Sequence, residues 1–356
     1  MQLPSRVLPT REAHARLGCL LLISLLAQTL SAVGAPKTDV VVFTNGDRLT
    51  GEVKRLDHGQ LSFDTDATGT IPIEWERLDR MESIQVLQIE LTSGERYAGQ
   101  SVSASGERKL RVELRDGRGV REVDFTDVVR VDPIGQGTLF ERLDGYVTAG
   151  YDYTKANNLQ TFTFTGGLST RDERAMRSLD ASTTITTQDV AEDSSRYDVS
   201  ASVRRFLANR WFYQGFLGFE GNDELGLDLR TSLGGGYGYY LVQDSRQEWA
   251  VLAGLAATRE NFATEDTSES LEAIVGTQYS FFRFDPEANL DASIYLLPSL
   301  TESGRVRSEA KLRCRYQIIS DLFFEISLYG SYDNHADAAA ESKSDYGMTT
   351  SLGYSF

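Results

Sequence analysis

One stretch of this chain places charge where it could do chemistry. Arg307, Glu309, Lys311, Arg313 and Arg315 recur at every second residue, followed by Gln317. In a strand, residues at that spacing share one face. The opposite face then carries Val306, Ser308, Ala310, Leu312, Cys314, Tyr316 and Ile318. Glu272, Gln278, Asp291 and Glu325, on neighbouring apolar-alternating segments, fall at positions that face the same way as the charges. Bases on one wall with acids on the next can line a water-filled, charge-selective passage. They can equally neutralise one another and fill a narrow interior, because a buried charge is costly unless paired. Catalysis needs a nucleophile beside an oriented base. His335, near Ser331, Asp333, Ser342 and Ser344, is the place to look, and its spacing is not specific. The expectation is a protein that is not an enzyme.

The elements that must hold these charges are strands. From Asp144 onward the chain alternates apolar and small or polar residues over twelve segments, near 144–155, 159–171, 177–189, 196–206, 210–221, 227–242, 247–261, 269–283, 288–301, 305–318, 321–333 and 345–356. An even number of strands, most longer than the five or six residues usual in globular sheets, suits a barrel that crosses a bilayer. Every second connection is short (RDERAM, LANR, QDSRQ, FDPEA, ISD), and the others include the longest. Trp211, Tyr213, Leu217 and Phe219 share one face of the fifth strand, as do Trp249, Val251, Ala253, Leu255 and Ala257 in the seventh and Leu322, Phe324, Ile326 and Leu328 in the eleventh. These faces are expected to meet lipid. The chain closes on DYGMTTSLGYSF, with Leu352, Tyr354 and Phe356 on the greasy face. That ending looks like the closing strand of a bacterial outer-membrane barrel, where it serves as the signal read by the insertion machinery. The long connections are acidic, with Asp189, Glu192, Asp193, Asp223, Glu224, Glu265, Asp266, Glu269, Asp333, Asp337, Glu341 and Asp345. A hydrated surface accounts for them.

The amino-terminal third differs. Arg6, Arg11 and Arg16 precede an apolar run, Leu17–Leu30, too short to span a membrane comfortably, and Val33-Gly34-Ala35 offers a cleavage site. Residues 1–35 therefore read as a signal peptide. A tandem repeat follows. VVFTNGDRLT (40–49) parallels QIELTSGERY (88–97), with Gly46 and Gly94 at the turns of two predicted hairpins. LSFDT with GTIPIEW answers KLRVEL with VREVDF. Two units, 36–86 and 87–135, resemble small SH3-like barrels and suggest a module that docks a protein or cell-wall partner. Asp64 with Asp66 and Glu74 with Glu76 are read as solvated strand faces, and His58 as part of a turn. Residues 136–143 form a linker and 144–356 the barrel. Processing would leave one cysteine, Cys314, and two histidines, His58 and His335, so no disulfide, metal site or other cofactor is expected. The net charge of −16 argues against nucleic acid as a partner. The expected fold is all-β, a twelve-stranded antiparallel transmembrane barrel preceded by two SH3-like repeats.

LGGGYGYYLV (233–242), SIYLLPSL (293–300) and the closing DYGMTTSLGYSF resemble the salt-induced outer-membrane protein family of Gram-negative bacteria, over about 210 residues from Asp144. The resemblance implies an outer-membrane barrel, partnered by outer-membrane lipid and the insertion machinery, and a role in osmotic or acid stress. It supplies no catalytic residues. The tandem module departs from the barrel-only pattern of that family.

Overall fold

Alternating side chains become sheet almost throughout. The computed structural model describes residues 37–103, 108–134, 143–155, 158–172, 174–189, 193–262, 267–284, 287–319, 321–335 and 343–356. The expected signal peptide, nearly all of the expected linker and several of the acidic loop residues lie outside the described residues. Strands β1 (Asp39–Phe43), β2 (Arg48–Asp57), β3 (Gln60–Thr65), β4 (Gly69–Glu74), β5 (Leu78–Leu91), β6 (Arg96–Val102), β7 (Lys109–Leu114), β8 (Val120–Asp124) and β9 (Val128–Pro133) make one nine-stranded sheet. Its order is β4-β3-β2-β1-β5-β6-β7-β8, and β9 pairs with β2 and β5.

The two repeat-opening hairpins turn through glycines in left-handed conformations, Gly46 at φ +90° and Gly94 at φ +80°. Asn45 and Ser93 tie these turns by accepting from the backbone N–H of Asp47 and Glu95. Nothing lies within 4 Å of where a Cβ would stand on Gly46. Gly46→Ala should therefore cost only the bare backbone penalty, about 1–2 kcal/mol. Faster amide exchange in β1 and β2, with the barrel unaffected, is the expected readout.

The two repeats, divided in the sequence reading at residue 86, meet within one continuous strand. β5 runs unbroken for 14 residues through that boundary. Its first half pairs with β1 through Arg80–Glu82, and its second half pairs with β6 and β9 through Leu87–Glu90. Both repeats feed one core, in which Val53, Leu56, Phe63 and Leu78 lie with Leu87, Ile89, Leu110 and Val131. Trp75 and Phe125 follow β4 and β8 at equivalent points and stack with centroids 4.4 Å apart. Trp75 Nε1–H also donates to the Phe125 carbonyl at 2.8 Å. A unit of about 50 residues buries too little apolar surface to be secure alone, and pooling the two cores removes that difficulty.

The remaining strands are β10 (Leu143–Thr154), β11 (Leu159–Arg171), β12 (Ala175–Thr187), β13 (Ser194–Phe206), β14 (Trp211–Asn222), β15 (Leu227–Gln243), β16 (Gln247–Phe262), β17 (Ser268–Arg283), β18 (Ala288–Pro298), β19 (Val306–Ile319), β20 (Leu322–Asp333) and β21 (Ser344–Ser355). They form a closed antiparallel barrel in sequence order, with β21 returning to β10. All twelve fall within three residues of the limits read from the sequence. Connections of two to four residues gather at one end, the turn end, and connections of four to ten at the other, the loop end. The seam is the shortest ladder in the barrel. Tyr146–Ala149 face Leu352–Ser355, and Gly145 and Phe356 exchange backbone hydrogen bonds beyond them.

The faces sort as alternation requires. Along β16, Leu255, Ala257 and Arg259 point out and are exposed, while Ala256, Thr258 and Glu260 point in and are buried. Leu233, Tyr237, Val275, Ile294, Met348 and Leu352 belong to an apolar exterior, each more than half exposed. An apolar belt this extensive does not face water in a stable monomer.

Candidate functional site

The site is the barrel's interior, and the amino-terminal sheet supplies one of its walls. Glu90, near the end of β5, is buried at the turn end of the barrel. Arg171 of β11 reaches its Oε2 at 3.1 Å, Gln243 of β15 donates to its Oε1 at 3.2 Å, and Arg96 of β6 pairs with it at 2.8 Å. Arg130 of β9 lies 3.6 Å away. Arg130 in turn holds Asp57 at 2.5 Å and reaches Glu248 of β16 at 3.5 Å. Arg55 pairs with Asp144 of β10 at 2.5 Å. Arg210 donates to the Thr92 carbonyl at 2.6 Å, and Arg246 to Glu76 at 2.7 Å. The His58 ring meets that of Phe282, 5.6 Å between centroids. Burial alone would raise the Glu90 carboxyl, but Arg171, Arg130 and Arg96 outweigh it and hold the group at about 2. Burial likewise works to raise Asp57, and Arg130, His58 and Arg55 draw it well below the usual carboxylate range.

A second set of ion pairs fills the loop end. Arg230 of β15 pairs with Glu260 at 2.7 Å and Glu220 at 2.9 Å. Arg305, in the connection before β19, joins Glu260 at 2.7 Å to Asp333 at 2.6 Å. Arg307 forks onto Glu272, with Nε and Nη2 both donating at 2.7 Å. Arg196 pairs with Asp345 at 2.7 Å and lies over the Tyr329 ring. Planar forks on carboxylates are the geometry in which arginine pairs hold best. Two small apolar clusters pack inside the barrel: Phe206 with Phe212, Tyr240 and Ala250 at the turn end, and Ala256 with Ile274 and Leu297 farther along.

Between the two sets lies a chamber of about 800 Å³, lined from the amino-terminal sheet by Arg55, Asp57, His58 and Arg130 and from the barrel largely by hydroxyls and charges. Of the eight charges singled out in the sequence, Asp291, Lys311, Arg313 and Glu325 line this chamber. Asp291 accepts from the Ser280 hydroxyl at 2.7 Å, and Lys311 stands 3.5 Å from Asp198. Arg313 is 3.9 Å from Glu325 and over the Tyr146 ring. Arg315 takes Glu325 at 2.8 Å between the rings of Tyr146 and Phe323. Glu272 and Arg307 belong to the loop-end set, and Glu309 is a distant third member at 3.9 Å. Leu352, Tyr354 and Phe356 are exposed on the outside. The His335 ring contacts Asn334, while the Ser331 hydroxyl turns to the Asp345 carbonyl.

Glu90, Arg130, Arg171, Arg204, Arg230 and Arg305 escape the sequence reading. The available signal was an arginine at an inward position of a strand whose other inward residues are small, as in Arg196 and Arg204 of β13 and Arg230 of β15.

A closed antiparallel barrel with an apolar outside and a polar inside is the build of a membrane-spanning β-barrel protein. This chain belongs to the family described as "Protein of unknown function, DUF481", which matches residues 147–356. No curated protein matches it. Among solved structures, it is similar to the translocator domain of the autotransporter NalP from Neisseria meningitidis, at 13% identity over 60% of this chain and 87% of that one, with a TM-score of 0.36. It is also similar to the β domain of the Bordetella autotransporter BrkA (8% identity, 60% and 98% covered, TM-score 0.29). A Pseudomonas aeruginosa FadL homologue is a third (8%, 76% and 86%, 0.25). These likenesses are slight and carry nothing about function.

Proposed function

We propose that this chain is a bacterial outer-membrane barrel that acts as a narrow passage, held shut at rest by its own amino-terminal domain. The observation that supports this most is Glu90, a carboxylate of that domain buried against Arg171 and Gln243 of the barrel mouth. In outer-membrane barrels the short turns face the periplasm, which assigns the turn end and the docked domain to that side. A hydroxyl- and charge-lined interior suits hydrophilic solutes. The outward Leu352, Tyr354 and Phe356 are assigned to the insertion machinery. A stress-associated role, as the family resemblance implies, fits a passage that stays closed until called upon.

The test uses a reversible tether on the full chain. A Cβ built on Gly59 stands 3.7 Å from that of Ser245, within disulfide reach. Gly59→Cys with Ser245→Cys, in a Cys314→Ser background, is placed in planar bilayers after a heat-modifiable gel shift confirms folding. Rare, brief conductance steps, from spontaneous undocking, are expected under reducing conditions and none after oxidation. Equal conductance in both states, or silence in both, would overturn the reading.

The second reading is that the amino-terminal domain recruits a protein or cell-wall partner while the barrel anchors it. Ile84, 69% exposed, and the β4 and β8 strands that end the sheet favour it. Specific capture of a periplasmic component by the full chain, lost in Ile84→Asp, would support it.

A further inference from the structure

We infer that the chamber is a binding site for a small hydrophilic oxyanion, bearing carboxylate or phosphate, held by Arg204 together with Lys311 and Arg313. This stands apart from gating, because a barrel that never conducts can still bind.

Of the six carboxylates described on the chamber wall, four are held by arginines, while Asp198 stands 3.5 Å from Lys311 and Asp291 accepts from the Ser280 hydroxyl. Asp57 and Glu248 are taken by Arg130, Asp144 by Arg55, and Glu325 by Arg315. Arg204 is left with neutral partners. Its Nε and Nη2 donate to Gln214 Oε1 at 3.0 and 2.7 Å, its Nη1 donates to the Tyr240 hydroxyl at 2.9 Å, and its Nη2 also donates to Gln278. The guanidinium lies 4.4 Å from the Phe212 ring centre. Among the described residues, no carboxylate stands within 4 Å of it. Four of its five N–H donors are engaged by these neutral groups, so the guanidinium offers an anion an uncompensated charge and one remaining Nη1 hydrogen. Held by amides and a phenol, it has spent no charge on its supports.

Lys311 and Arg313 add accessible charge to the same chamber. The Lys311 side chain is 56% exposed and only loosely paired at 3.5 Å, and Arg313 is looser still at 3.9 Å. Gln278, which supports Arg204, also lines a side pocket shared with Lys311 and Arg313. Chamber size falls within the range of small-molecule sites, about 300–1,000 Å³. Its wall is rich in serine and threonine hydroxyls, which selects a hydrophilic ligand over a lipid. On a chain with a net charge of −16, cations left without close partners inside the lumen are the unusual feature.

Equilibrium dialysis of the folded full chain against labelled phosphate, and separately against labelled citrate, tests this at constant ionic strength set with chloride. Dialysis over days lets a ligand pass a mouth that opens rarely. Saturable binding of about one equivalent of either anion is expected, and which anion binds identifies the head group. Arg204→Gln should weaken it at least tenfold, with Arg204→Lys recovering part of the loss. Lys311→Gln with Arg313→Gln, at positions open to the chamber, should weaken it severalfold even if the Arg204 variants misfold. Absence of saturable binding, or binding unchanged by both sets of substitutions, would overturn the inference.

Discussion

Replacing Glu272 by alanine is expected to destabilise the barrel by about 3–5 kcal/mol, the loss that follows when one partner of a buried ion pair is removed. Arg307 would remain with its side chain 4% exposed, and its next carboxylate, Glu309, is 3.9 Å away. The Thr258 hydroxyl would also lose the acceptor it now uses at 2.9 Å. A lower temperature for loss of the heat-modifiable gel shift, with an earlier urea midpoint, is the readout. Glu309→Ala removes a charge from the same strand face, but its side chain is 40% exposed, and the expected change is within about 0.5 kcal/mol. Glu272→Leu combined with Arg307→Met should recover most of the loss, since removing both charges leaves nothing to neutralise. Equal effects of Glu272→Ala and Glu309→Ala would mean that the loop end is wet and its ion pairs are screened.

The contrast between these two glutamates shows what the sequence could express. Both sit at inward positions of alternating strands, and the two-residue period placed Arg307, Glu309, Lys311, Arg313 and Arg315 on one face. It could not say which would be buried. That depends on Arg307 meeting Glu272, 35 residues earlier, on a strand that is not an immediate neighbour. Strand limits were legible because alternation is local and persists for eleven to seventeen residues in each barrel strand. The hairpins at Gly46 and Gly94 were legible because a left-handed turn narrows residue choice. That one strand would run on through the division at residue 86 was not legible, for the opposite reason. β5 carries apolar residues on across it, and nothing local distinguishes a strand that links two barrels from one shared by a single sheet. The docking of the amino-terminal sheet into the barrel was invisible too, because Arg130 to Glu248 and Gln243 to Glu90 join residues 118 and 153 apart. His58, read as part of a turn, does sit in one at φ +50°. Its ring nevertheless packs on Phe282 of the barrel, a second use of the residue that its neighbours in sequence do not announce.

The same geometry makes the amino-terminal latch resistant to acid, and Glu90→Gln should abolish it. The groups facing Glu90 are Arg96 and Arg130 from its own sheet and Arg171 and Gln243 from the barrel, with Asp57 and Glu248 behind Arg130. Its carboxyl lies at about 2, against an ordinary value of 4.5. That difference corresponds to about 3 kcal/mol of docking and folding free energy. Because the folded value is depressed, this contribution is complete above pH 4.5 and is lost as the pH falls towards 2. Docking is therefore expected to hold at pH 7 and at pH 5, and to fail only as the pH approaches 2. The rate of disulfide formation in the Gly59→Cys, Ser245→Cys protein, measured after pH-jump back to a common oxidising buffer, reports docking directly. Glu90→Gln leaves three arginines around a neutral amide, so the rate should drop at least tenfold at neutral pH and lose its dependence on prior acid exposure. Gly94→Ala offers an independent route to the same state, because its Cβ would strike the backbone nitrogen of Arg210 and crowd its Cγ while leaving the ion pairs of Glu90 in place. That variant should loosen the latch while keeping the acid response. If wild type and Glu90→Gln respond to acid alike, the latch is held by contacts other than this carboxylate, with the pairs of Arg55 to Asp144 and Arg246 to Glu76 next in line.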